Sequence, residues 1–325
     1  MTKTPLVSII IPLYVICNRF FEDFKKFDSL KYPHIEIIVV CDKKVSLPKL
    51  KRSIKFILTN KKHTGPAEKR DLALKYVKGD ICAFIDDDAY PRDNWIKEAI
   101  KHFKKRDIVA VGGPGVTPPN DSFLEKIGGY IIESYLCSGG IQYRFYQTGA
   151  KIFVNDYPAY NLFVRTSVLK KVGGYGSTFY GGEDTLLCMK LIKYGSILYD
   201  SNVVVYHHRR KFPIASLKQI AGVGLHRGYF FMRYPETSRR LIYLIPITLT
   251  IGFLGGIVIS LINPKLFLFP FLLNILFFLV LGLVSVLRHR VNVISSAIAG
   301  IGIMLTHITY GVFFVKGLLT RHLDR

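Results

Sequence analysis

Three apolar stretches after Arg239-Arg240, at about 241–262, 265–287 and 291–315, constrain this chain more than any other feature. Each approaches the ~20 residues that a helix needs to cross hydrocarbon. Buried helices of a water-soluble protein are shorter and amphipathic, which argues against that reading. Asn263-Pro264-Lys265 separates the first two stretches and Arg288-His289-Arg290 the second and third, and links this short make antiparallel neighbours. Ser295, Ser296, Thr306, His307 and Thr309 interrupt the third stretch, while Gly300, Gly302 and Gly311 let it pack closely on its neighbours. Under the positive-inside rule the basic flanks put the preceding domain on the cytosolic face of an integral membrane protein. Three full crossings would then carry Lys316, Arg321 and Arg325 outside, against the same rule, so two or three crossings stay open.

Charge divides the chain in the same place. The net charge is +22 over 325 residues, from 45 basic and 23 acidic side chains. Six Lys/Arg and one Asp lie in 241–325, which leaves a basic, water-compatible front and an almost uncharged tail. With half of its residues apolar, the chain is neither a disordered tail nor a disulfide-stapled miniprotein. Cys17, Cys41, Cys82, Cys137 and Cys188 are odd in number, far apart and free of any CxxC pair. They read as reduced core residues of a cytosolic compartment. Residues 6–17 after Lys3 mimic a signal peptide, but Pro12 lies within the run and no small-residue cleavage site follows. A buried first strand is the better reading.

The front alternates strands with helices. Val7–Leu13 and 36–41 are short Ile/Val runs of the kind covered on both faces, Ser53–Leu58 and Ile81–Ile85 read as a third and a fourth strand, and 20–30 and 66–77 as helices. Such alternation predicts an α/β domain with a mostly parallel, Rossmann-like sheet, whose ligands sit at the carboxyl ends of the strands. Asp42 and Asp86-Asp87-Asp88 fall at those ends. Carboxylates at i and i+2 on a turn converge on one hard cation, which also holds substrate phosphates. A solvated acidic turn, or a helix cap before Pro91, explains the same residues without a metal. Glu183-Asp184 follows Gly181-Gly182 and opens a helical run, where acidic residues also suit the macrodipole.

Taken together, the pieces are ordered. Val7-Ser8-Ile9-Ile10-Ile11-Pro12-Leu13-Tyr14, Val39-Val40-Cys41-Asp42, Gly65-Pro66-Ala67 with Arg70-Asp71, and Phe84-Ile85-Asp86-Asp87-Asp88 come first. Gly113-Pro114, Asn161, Gly173-Gly174-Tyr175, Gly181-Gly182-Glu183-Asp184-Thr185 and His207-His208 follow. In this order and spacing the chain resembles the family-2 glycosyltransferases over about residues 5–212. His307-Ile308-Thr309-Tyr310-Gly311 with Gly317 resembles the membrane-bound, polysaccharide-building members.

The resemblance implies a GT-A nucleotide-sugar-binding fold in 1–208, an interface segment in 209–240 and membrane helices in 241–325. It implies inverting, metal-dependent transfer with Mg²⁺ or Mn²⁺. Asp42 would meet the nucleotide base and Arg70 would lie in the nucleotide pocket. Pro12, Tyr14, Asp86 and Asp87 would border the donor from the first and fourth strands, and Gly113 and Asn161 from the later motifs. Asp86 and Asp88 match the DxD motif, with Asp88 the direct metal ligand. Asp184, beside Glu183, matches the catalytic aspartate. His207-His208 can complete the metal shell or touch the leaving phosphate; His208 is assigned to the shell, although the sequence does not separate the two rings. Cys41-Asp42-Lys43-Lys44 departs from the two aspartates and Gly-Ser of many relatives, which leaves the base unassigned. Gln219 and Arg227 do not have the spacing of the processive synthases' Gln-x-x-Arg-Trp motif.

An acceptor hydroxyl is a poor nucleophile until a base takes its proton, whereas a phosphate acceptor needs none. Glu183-Asp184 therefore favours a hydroxyl of a lipid-linked saccharide over a polyprenyl phosphate. Residues 209–240 hold eight Lys/Arg, one acid and the cluster Tyr229, Phe230, Phe231 and Met232, which suits the headgroup boundary of membrane lipid. Pro213, Gly222, Gly224 and Gly228 break the helical pattern there. The charge and the 13% aromatics also suggest a nucleic-acid binder. Dispersed basic residues and the absence of a helix-turn-helix or zinc pattern argue against a nucleic-acid partner, and the intact Asp86, Asp88 and Asp184 argue against a catalytically silent scaffold.

Overall fold

The computed structural model describes residues 4–323 apart from Val15, Asn60, Lys62, Tyr180 and 288–290. Lys3, the Arg288-His289-Arg290 link and Arg325 lie outside the described residues. The first four strands are β1 (Val7–Leu13), β2 (Ile35–Cys41), β3 (Ser53–Leu58) and β4 (Ile81–Ile85). They pair in parallel in the order β3-β2-β1-β4. α1 (Asn18–Lys25) lies in the crossover from β1 to β2 and α2 (Pro66–Leu74) in the one from β3 to β4, whereas residues 42–52 join β2 to β3 without a helix. α2 starts where Pro66 follows Gly65 and Glu68 Oε2 accepts from the Gly65 amide at 3.0 Å. Ile9, Ile11, Ile37, Val39, Ala83 and Ile85 are buried with Phe24 and Trp95 in the main core.

Short elements follow: β5 (Ala89–Pro91), α3 (Trp95–Ile100), β6 (Ile108–Gly112) and β7 (Gly115–Val116). After α4 (Phe123–Glu133) and α5 (Tyr135–Ser138) come β8 (Lys151–Val154), β9 (Asn161–Arg165) and α6 (Thr166–Lys171). α7 (Glu183–Leu191), β10 (Ser196–Asp200) and β11 (Val205–His207) complete the α/β part. The large sheet continues past β4 as β9-β6-β10-β8, with β9 antiparallel to both neighbours and β8 antiparallel at the edge. A small sheet runs β5-β11-β7. Leu13 stands opposite Cys41 and Ile10 opposite Phe84, so β1, β2 and β4 end together and hand over to Tyr14, Asp42 and Asp86.

The chain forms two compact units, Met1–Pro118 with Tyr146–His208, and Pro119–Phe145 with Arg209–Asp324. Residues 119–145, which the sequence places inside 1–208, thus group with the helices. Those are α8 (Ile214–Arg233), α9 (Pro235–Ser238), α10 (Ile245–Ile262), α11 (Pro264–Leu287) and α12 (Val293–Leu319). Leu241–Ile262, Pro264–Leu287 and Val293–Leu319 are each long and apolar enough to cross a membrane. α8 runs unbroken through Gly222, Gly224 and Gly228, contrary to the sequence reading. A Cβ on Gly224 would lie 2.7 Å from the Tyr310 carbonyl oxygen, and one on Gly228 2.1 Å from that of Phe314. At these two positions the missing side chain admits the α12 backbone, and that packing offsets the ~1 kcal/mol each glycine costs a helix.

Candidate active site

The carboxyl ends of β1, β2 and β4 assemble the site. Asp86 leaves β4, and from α2 the 3%-exposed Arg70 donates through Nη2 to Asp86 Oδ1 at 2.7 Å. Arg70 Nη1 lies 3.6 Å from Glu183 Oε1 and 3.5 Å from Asp184 Oδ1. One buried guanidinium therefore joins the two acidic clusters, which are nearly a hundred residues apart in sequence. Its charge also faces the Tyr175 ring at 5.2 Å. Asp87 Oδ2 accepts from the Tyr14 amide at 2.6 Å, which ties the turn after β1 to the turn after β4. The Tyr14 ring is 60% exposed and free to border a ligand.

Asp86, Asp88 and His207 each offer one ligand atom, all within 4.8 Å of one another. Two carboxylates and an imidazole fit a divalent cation. β11 delivers His207 by pairing it with Ala89, and His207 Nε2 lies 3.0 Å from Asp88 Oδ1. The assignment of His208 to this cluster is corrected: its Nε2 sits 2.9 Å from Asp23 Oδ2, and only its amide reaches the turn, donating to the Asp88 carbonyl at 2.9 Å. Neighbouring side chains on a strand point to opposite faces, so only one of the two rings can join the carboxylates.

Gly181 and Gly182 adopt φ of +130° and +79°, a turn that sets Asp184 into the first turn of α7. Asp184 Oδ2 accepts from the Ala159 amide at 3.0 Å, whereas the buried Oδ1 has no hydrogen-bond partner. Burial, and then the Glu183 charge, push this carboxyl up to about 8, which Arg70 only partly opposes. A carboxylate oxygen with raised basicity, ion-paired to Arg70 at 3.5 Å but in no hydrogen bond, can accept a proton. Glu183 Oε2 is engaged by the Gly181 amide at 2.7 Å.

Asp42 directly follows β2, with Thr59 Oγ1 at 2.5 Å, the Thr64 amide at 3.2 Å and Lys69 Nζ at 3.0 Å. Burial would raise its carboxyl, but these hydrogen bonds outweigh it and lower it to about 2. Lys69, itself buried, also donates to the Leu13 carbonyl at 2.8 Å; sequence reasoning missed it. The available signal was a lysine on a helix whose other buried positions include Ala67 and Ala73. Asp71 was passed over as well: it accepts from the Tyr175 and Gly176 amides at 2.7 and 2.9 Å and so holds the Gly173-Gly174-Tyr175 turn beside Arg70.

Three expected donor contacts are interior instead. Asn161 is fully buried; its Oδ1 accepts from Trp95 Nε1 at 2.8 Å, and its Nδ2 donates to the Gly113 and Val203 carbonyls at 2.6 and 2.7 Å. Gly113 is a packing position, since a Cβ there would stand 1.9 Å from the Val203 carbonyl oxygen. Pro12 is buried in β1 opposite Val40.

A mostly parallel sheet with an acidic turn and a paired acidic helix start at its carboxyl edge is a GT-A glycosyltransferase architecture. The mannosyltransferase PcManGT from Pyrobaculum calidifontis, solved with GDP-Man and Mn2+, shares the fold with a TM-score of 0.52 at 16% identity, over 72% of this chain and 65% of that one. Residues 8–172 match Glycosyl transferase family 2, just over half of the chain. The chain belongs to that family. The pre-mycofactocin glycosyltransferase of Mycobacterium tuberculosis (strain H37Rv) is 27% identical over 182 residues, 55% of this chain and 37% of its own length. Little more than a third of that relative is thus spanned. Glycosyltransferase AglE of Haloferax volcanii is 25% identical over 266 residues, 78% of this chain and 83% of the relative.

Proposed function

We propose that the chain moves a sugar from a nucleoside-diphosphate donor to a hydroxyl of a membrane-associated, lipid-linked saccharide, with inversion and with dependence on a divalent cation. The observation that carries this reading is the shared counter-ion: Arg70 lies 2.7 Å from Asp86 and 3.5 Å from Asp184. Residues suited to the leaving group and a residue suited to the nucleophile therefore border one site. Asp86, Asp88 and His207 would hold Mg²⁺ or Mn²⁺, which when bound neutralises charge on a departing diphosphate. Asp184 Oδ1 takes the acceptor proton as the hydroxyl oxygen attacks the anomeric carbon. The carbon–oxygen bond to the diphosphate breaks, and its electron pair leaves with the nucleotide. Asp42, held in place by Thr59, Thr64 and Lys69, borders the base end.

The GDP-Man and Mn2+ in the related mannosyltransferase support a nucleotide sugar and a divalent ion. The three apolar helices support a membrane-borne acceptor, and the basic residues flanking them favour the cytosolic face for the catalytic unit. Asp184 favours a hydroxyl over the second reading, sugar transfer to a polyprenyl phosphate, because an anionic phosphate needs no base. Purified full-length protein is assayed against a panel of nucleotide sugars with membrane lipid extract as acceptor, with and without EDTA. Metal-dependent transfer to an extractable glycolipid is expected. Absence of transfer from every donor sinks the proposal, and full activity of Asp184→Asn on polyprenyl phosphate sinks the hydroxyl acceptor.

A further inference from the structure

The number of membrane crossings can be read from how α12 meets its neighbours. α10 and α11 form a hairpin about Asn263, with Gly256 against Phe271, so Pro246 on α10 and Gly282 on α11 stand at the same height near its base. α12 meets Gly282 at Gly300 but meets Pro246 at Gly311. These points are eleven residues apart, about 16 Å along the α12 axis. A helix running beside the hairpin would meet both at one point of its length. Thr250 Oγ1 on the His307 carbonyl at 3.1 Å and the Phe278–His307 ring contact at 5.9 Å mark the point between them. α12 therefore crosses the base of the hairpin.

Its remaining partners are water-compatible elements. A Cβ on Gly302 would lie 2.3 Å from Ile131 of α4, and His307 Nε2 is 2.9 Å from the Leu136 carbonyl oxygen of α5. These contacts fall at the middle of α12, where a spanning helix would sit at the bilayer centre. Yet the α4–α5 segment carries Glu125, Lys126 and Glu133, and charge at that depth is costly. Further on, α12 runs alongside α8 in the same direction: Gly224 at Tyr310, Gly228 at Phe314, and Arg233 Nη2 on the Arg321 carbonyl at 3.1 Å. α8 holds Lys218, His226, Arg227 and Arg233 and leads into α10. Of the three apolar helices, α12 has 44% of its most apolar window buried, against 11% and 6% for α10 and α11.

We infer that α12 is not a third crossing but an in-plane helix of the membrane interface, seated with α8 across the base of the α10–α11 hairpin. Its partner is the headgroup boundary of the bilayer, which it meets with the exposed Ile301, Val312, Val315 and Leu319 and with Lys316. The chain crosses twice, and Arg321 returns to the side on which α10 begins. This removes the conflict with the positive-inside rule, because Lys316 and Arg321 then lie with Arg239 and Arg240. The inference rests on α10 and α11 crossing a membrane and not on the chemistry proposed above.

Full-length protein with the exposed Cys17 replaced by serine is made with Arg240→Cys, Lys265→Cys or Arg321→Cys, one at a time, in sealed vesicles of one orientation. A membrane-impermeant maleimide should label Arg240→Cys and Arg321→Cys from one side and Lys265→Cys from the other. Labelling of Arg321→Cys with Lys265→Cys overturns the inference, and labelling of Lys265→Cys with Arg240→Cys removes the hairpin and the inference with it. As a second measurement, nitroxides at Ile301 and Val315 should report equal depth near the headgroups. A depth difference approaching the ~21 Å that separates those positions along a helix means that α12 spans.

Discussion

Asp184 holds its two oxygens in different states, one hydrogen-bonded to the Ala159 amide and one only within ion-pair distance of Arg70. Asp184→Asn keeps the shape and removes the proposed base, so kcat should fall ~10²–10⁴-fold while the donor KM changes little, as steady-state kinetics will show. The base acts when ionised, so kcat/KM should rise with pH through its elevated pKa. Glu183→Gln removes the neighbouring charge that helps raise it, and the rising limb should move to lower pH. Asp42 has the opposite sign. Its depressed carboxyl contributes stability above the ordinary aspartate range, near pH 4, and that contribution is lost as pH falls through about 2. Asp42→Ala leaves Lys69 buried and unpaired, and should cost about 3–5 kcal/mol, seen as a lower Tm. At this scale the acidic clusters were legible because their chemistry is written in residue type. Lys69 and the choice of His207 over His208 were not, since both depend on which way a side chain leaves its element.

Among the elements, β1 to β4 could be read almost to the residue. β1 and β2 are Ile/Val-rich runs buried on both faces, and β3, largely exposed at the sheet edge, is still marked by Ile54, Phe56 and Ile57. β9 was invisible as a strand between β4 and β6, because its place is set by pairing partners eighty residues upstream and fifty residues upstream. Asn161 at its start was therefore misread as a donor contact. Asn161→Ala should remove the partners of the Trp95 indole and the Val203 carbonyl, at about 1–3 kcal/mol each. A lowered Tm with an unchanged donor KM is the expected pair of results. α8 was misread for a related reason: glycines weaken an isolated helix, but here Gly224 and Gly228 are where another backbone lies.

For the whole molecule, ligand binding should be visible as stability. A nucleoside diphosphate with Mn²⁺ at a hundred times its Kd adds about 2.7 kcal/mol, so a thermal shift should appear with metal, vanish with EDTA and vanish in Asp88→Asn. The grouping of residues 119–145 with 209–324 escaped the sequence because a unit built from separated segments leaves no composition boundary at the first of them. Asp184 has a wider consequence. In the proposed reaction the Ala159 amide holds one of its oxygens, so the orientation of the other is set by the main chain and by Arg70. The direction of proton removal is then a property of the scaffold, so relatives that keep this pair of contacts could accept different glycans without rebuilding the base.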